Sequence, residues 1–123
     1  MAVQPKRIIV GVDGSDGAQR ALDAAAQLIG YGSTLTVVSV SPDGEPTAPD
    51  VLAEARERLL DHLVTATYVR RVGDAADELV AVASELDADL VVVGRRGEEG
   101  RVAPGSVSAD VVRRAACDVL VVG

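Results

Sequence analysis

The glycines between residues 94 and 106 give this chain the chemistry of a binding loop. An apolar run, Leu90–Val93, meets Gly94-Arg-Arg-Gly97, and Gly105-Ser106 then opens a new amphipathic run. Glycine lets backbone come close to a ligand, and the first N–H groups of a helix have no partner inside it. A strand, a glycine loop and a helix N-terminus in succession therefore make an anion pocket, most often one for phosphate. The same residues also serve an ordinary strand-to-helix turn in which glycine answers only to backbone geometry.

Three nucleotide fingerprints can be tested on the residues. Gly100-Arg-Val-Ala-Pro-Gly105-Ser106 has the outer spacing of a P-loop but lacks the Lys that sets positive charge on the terminal phosphates. Gly11-Val-Asp-Gly14-Ser-Asp-Gly17 is spaced G-x-x-G-x-x-G, unlike dinucleotide sites, and its aspartates would face the pyrophosphate. A phosphorylated receiver domain needs an acceptor Asp closing its middle strand. Here Arg71-Val72-Gly73-Asp74 ends the third strand, and Asp74 reads as a helix cap.

The elements that must position the loop alternate regularly. Arg7–Val12 is a β-branched run stopped by Gly11-Val-Asp13-Gly14-Ser15. Ala18, Ala21, Leu22, Ala25, Leu28 and Ile29 recur at helical spacing until Gly30 and Gly32. Leu35–Val40 is a second strand. Thr47-Ala-Pro49-Asp50 has capping-box character with Pro in the first turn, and Leu52, Ala55, Leu59 and Leu63 form one helical face. Thr67–Val72 follows as a strand, then a helix from Asp74 through Ala76, Leu79, Val80 and Ala83. Leu90–Val93, a helix from about Ser106 to Ala115, and a strand at Asp118–Val122 complete the series. Apolar strands joined through single helices predict one α/β domain over residues 1–123, a parallel sheet covered on both faces. Arg70 and Arg71 mark the third strand as an edge. Val119–Val122 is wholly apolar; if it is the opposite edge, it lacks the charge that usually blunts one, and this suggests a partner strand.

Composition narrows the function. A net charge of −7 opposes phosphate-backbone binding, and the chain has no Phe or Trp on which bases could stack, so nucleic acid is not an expected partner. Cys117 is the single cysteine, in a packed setting that reads as structural. The apolar run Ile8–Val10 is too short for a signal-peptide core and no segment reaches membrane-span length, which predicts a cytoplasmic protein. His62 has no Cys or second His nearby and reads as a surface residue at a helix end. Ser15, Ser39 and Ser106 all have turn or cap explanations. Glu54, Arg56, Glu57, Arg58 and Asp61 read as a solvated helix face.

Across residues 7–122 the chain resembles the universal stress proteins. The resemblance rests on Ile8-Ile-Val-Gly-Val-Asp13-Gly-Ser15, Val72-Gly73-Asp74, Ala88-Asp89-Leu-Val-Val-Val-Gly94-Arg-Arg-Gly97, Gly105-Ser106-Val107 and Cys117-Asp-Val-Leu-Val-Val122. It implies a five-stranded parallel open sheet in the order 3-2-1-4-5, with a ligand crevice where the connections diverge between strands one and four. It also implies ATP binding, with or without Mg2+, by a regulatory stress-response module. Gly94, Gly97, Gly105 and Ser106 match the family's G-x2-G-x9-G-(S/T) motif. Here, however, only seven residues, Glu98 to Pro104, separate the last two glycines. By the same resemblance Asp13 binds ribose, the Val40 backbone reads adenine, and the Val107 N–H joins Ser106 at the phosphates. The bland role for Asp13 is a turn residue satisfying local N–H groups. No general base, nucleophile or Lys for phosphoryl transfer is evident, so ATP hydrolysis is expected to be slow at most. The family also implies a homodimer through the Val119–Val122 edge. The shortened loop and Glu98-Glu99 favour the alternative of a dimeric scaffold of the same fold that needs no nucleotide.

Overall fold

A computed structural model describes residues 5–45, 50–95 and 107–123. Among these, five strands alternate with four helices: β1 (Arg7–Val12), α1 (Asp16–Leu28), β2 (Thr34–Ser41), α2 (Val51–Asp61), β3 (Thr67–Val72), α3 (Ala75–Glu85), β4 (Leu90–Gly94), α4 (Val107–Arg114) and β5 (Asp118–Val122). The strands form one sheet in the order β3-β2-β1-β4-β5, with every pairing parallel. The edges are thus β3, as Arg70 and Arg71 suggested, and β5, as the strand order implied by the resemblance required.

Alternation along the central strands divides the core between two faces. Ile8, Val10 and Val12 of β1 pack with Leu35 and Val37 under α1 and α2. Ile9, with Val38, Val91 and Val93, packs under α3 and α4. Both faces of β1 and β4 are therefore apolar, which is why these strands read as continuous hydrophobic runs. With no Phe or Trp, the core is aliphatic, and its helices lie close. At Gly11 an added Cβ would meet Leu79 Cδ1 of α3 at 2.9 Å. Gly11 therefore lies inside β1 as a packing requirement and does not stop the strand.

Local chemistry sets the element ends, and some differ from expectation. Ser15 caps α1, its side chain accepting from the Ala18 N–H, and Asp74 caps α3 by accepting from the Asp77 N–H. The second helix starts later than the capping-box reading placed it. Asp50 is the cap: its backbone is extended, its carbonyl accepts the Glu54 N–H, and its carboxylate accepts from the Leu52 and Ala53 N–H groups. Thr47 and Pro49 lie outside the described residues. At the end opposite the strand termini, the Asp89 side chain accepts from both the Lys6 and Arg7 N–H groups and joins β4 to the start of β1. Those two donors hold its carboxyl below the ordinary range.

Candidate functional site

The chain leaves β1 for α1 on one face of the sheet and leaves β4 for α4 on the other. Divergent connections open a crevice at the carboxyl ends of β1 and β4, the place where open α/β sheets take ligands. Helices that follow strands also turn their N-terminal, electropositive ends toward that edge.

Asp13 is the first residue beyond β1 and is exposed to the crevice. Its Oδ1 accepts from the Ser15 N–H at 2.9 Å and from the Ser15 hydroxyl at 2.5 Å. The Ser15 Oγ in turn accepts from the Ala18 N–H at 3.1 Å, inside the first turn of α1. Gly14, between the two, has φ +85°, a left-handed turn that glycine adopts at no steric cost. Among the described residues Asp13 Oδ2 has no donor. Asp13 therefore is a turn residue, as its bland reading held, yet the turn engages only one of its oxygens.

Gly94 closes β4 across the crevice. A Cβ there would meet the Gly17 carbonyl carbon at 2.7 Å and its oxygen at 2.8 Å. The first turn of α1 thus lies directly on the end of β4, and the missing side chain of Gly94 is what permits the contact. Gly17 was not foreseen as a site residue; its only sequence signal was the run of glycines from Gly11. Val40 stands one residue past the last β1–β2 pair, Val12↔Ser39, while staying paired with Arg71 of β3. Its backbone accordingly borders the crevice. Val107 is exposed at the first position of α4. Asp13, Val40, Gly94 and Val107 all fall on the carboxyl side of the sheet. Gly97, Gly105 and Ser106 lie outside the described residues.

Beside Asp13, a small cleft of ≈ 60 Å³ runs between α1 and α2. Its floor is Val12, Ala18, Leu22 and Val51, and its rim is Gln19, Glu54 and Arg58. Arg58 is more than the solvated residue that helical spacing suggested. Its Nε and Nη2 donate to the two carboxylate oxygens of Asp23 at 2.7 Å each, and His62 Nε2 lies 3.0 Å from Asp23 Oδ1. Arg58 first, and His62 after it, hold the Asp23 carboxyl below its ordinary range against the opposing effect of burial. Cys117 is half-buried against the α3–α4 side of the core, and burial pushes its thiol up, away from the reactive thiolate. Among the described residues no three His, Cys, Asp or Glu side chains gather as a metal site.

Residues 5–123 match the universal stress protein family. The chain belongs to that family. The Mycobacterium tuberculosis universal stress protein Rv1636 is 39% identical over 95% of each chain. A universal stress protein solved in complex with cAMP is 34% identical, with a TM-score of 0.78 over 98% of this chain and 99% of that one. The Archaeoglobus fulgidus universal stress protein in complex with dAMP is 27% identical, with a TM-score of 0.78 over 98% of this chain and 100% of that one.

Proposed function

We propose that this universal stress protein binds an adenine nucleotide in the β1–β4 crevice and acts as a dimeric cytoplasmic regulatory module. The observation that carries this reading is Asp13, with Oδ1 committed to Ser15 and Oδ2 without a donor among the described residues. A carboxylate held this way accepts hydroxyl protons, and ribose hydroxyls supply them. The Val40 backbone would read the adenine edge. Gly94, Gly97, Gly105, Ser106 and the Val107 N–H would serve the phosphates, with Mg2+ accompanying ATP. The cAMP and dAMP complexes of its relatives support an adenine ligand with a single phosphate. The loop shortened to seven residues between Gly97 and Gly105 and carrying Glu98-Glu99 points the same way, because it offers less reach around a triphosphate. ATP stays within the proposal as a weaker ligand.

Calorimetric titration with cAMP, AMP and ATP, the last with and without Mg2+, tests this directly. Binding of at least one is expected, with Asp13→Ala weakening it about tenfold, the worth of a hydrogen bond to a charged acceptor. No heat and no thermal shift at millimolar concentrations of all three would establish the nucleotide-independent scaffold instead.

A further inference from the structure

Ser15 does two things at once in this fold. Its hydroxyl oxygen accepts from the Ala18 N–H and so caps α1, while its hydroxyl proton goes to Asp13 Oδ1. A hydroxyl has one proton to donate, and here the cap leaves that proton to Asp13. Ser15 is 7% exposed, whereas Asp13 beside it is open to solvent. An exposed aspartate alone samples several rotamers and loses that freedom when it binds a ligand. Two donors from one buried residue converge on a single oxygen of Asp13 and remove the freedom beforehand.

We propose that Ser15 is a positioning residue that presents Asp13 Oδ2 to the ribose hydroxyls and thereby sets the preference for ribo- over 2′-deoxyribonucleotides. The proposal rests on the reading of Asp13 as the ribose ligand. It adds that the orientation of the carboxylate, and not its presence alone, carries the selectivity. The backbone N–H of residue 15 survives substitution by any residue but proline, so the turn persists while the hydroxyl contribution is removed.

Three variants separate positioning from helix capping. Ser15→Asp retains a strong cap, but its ionised side chain cannot donate and repels Asp13. Ser15→Gly removes the hydroxyl at a site where glycine is a tolerated cap. Ser15→Thr keeps both functions. AMP and 2′-deoxy-AMP are titrated against each variant and against Asp13→Ala, and the Asp13 χ1 populations are read from three-bond NMR couplings without ligand. The expected result is one dominant χ1 state in the wild type and in Ser15→Thr, and averaging in Ser15→Asp and Ser15→Gly. The AMP over 2′-deoxy-AMP preference should fall about fivefold in the last two, part of the worth of one charge-assisted hydrogen bond. A preference unchanged in Ser15→Asp and Ser15→Gly but lost in Asp13→Ala would overturn the positioning role while leaving Asp13 as the ribose ligand. A single Asp13 rotamer in all variants would also overturn it. A wild type that binds AMP and 2′-deoxy-AMP equally would overturn the selectivity role, and a preference that survives Asp13→Ala would refute the ribose reading together with it.

Discussion

A methyl group at position 94 would stand 2.7 Å from the Gly17 carbonyl carbon, closer than carbon atoms tolerate. The obstacle is backbone, so no side chain can turn aside to make room, and either α1 or the end of β4 must shift. Gly94→Ala is therefore expected to destabilise the protein by about 2 kcal/mol with no ligand present, in the range of overpacked sites. Urea denaturation measures it, and an unchanged midpoint would refute the packing role. Glycine at 94 was legible from its place after an apolar strand. The reason for it was not, because Gly17 is distant in sequence and only the folded chain brings the two together. The aspartate at 13 was legible as a turn residue, whereas the bond from the Ser15 hydroxyl that orients it depends on side-chain geometry that spacing does not carry.

Between elements, the contact that periodicity missed is the clamp joining α1 to α2. Helical spacing shows which residues leave the core and says nothing of which polar residue meets a neighbouring helix, so Arg58 was read as solvated. In the fold its guanidinium grips both oxygens of Asp23, with His62 completing the cluster at the C-cap of α2. A bidentate, half-buried pair of this kind should show a coupling of about 1 kcal/mol in a double-mutant cycle of Asp23→Asn and Arg58→Gln. Its pH dependence has a definite sign. The folded state holds the Asp23 carboxyl below its ordinary value of 3.8, so the clamp's contribution is complete above that value. It is lost as pH falls through the lower folded-state value, where Asp23 takes up its proton. Asp23→Asn should thus cost stability at neutral pH and progressively less as pH falls below 3.8. A loss that does not shrink on acidification, read from urea midpoints, would refute the assignment.

The arrangement of the whole molecule was the most legible level, since five apolar strands alternating with amphipathic helices permit few packings other than a parallel sheet covered on both faces. Thr67–Val72 declared itself an edge through Arg70 and Arg71, which meet Asp50 of α2 and Glu78 and Glu85 of α3 respectively. Among the described residues the opposite edge shows no such pairing of charges. Val119 and Val121 of β5 turn inward to the α3–α4 side of the core, whereas Leu120 points away from it and is 37% exposed. A parallel partner, β4, occupies one side of β5, and among the described residues no strand pairs with the other side, which lies beside an apolar side chain. Such an edge templates association unless it is closed, and twofold antiparallel pairing with a second copy closes it, leaving the charge-bearing β3 of each copy as the outer edges. The proposed dimer follows from this, with Leu120 near its axis. A lysine at 120 would bring two like charges together across the pairing, a strong penalty in a small apolar interface. Light scattering should therefore report a dimer for the wild type and a folded monomer for Leu120→Lys. A monomeric wild type, or a variant still dimeric at the same concentration, would exclude this edge as the interface.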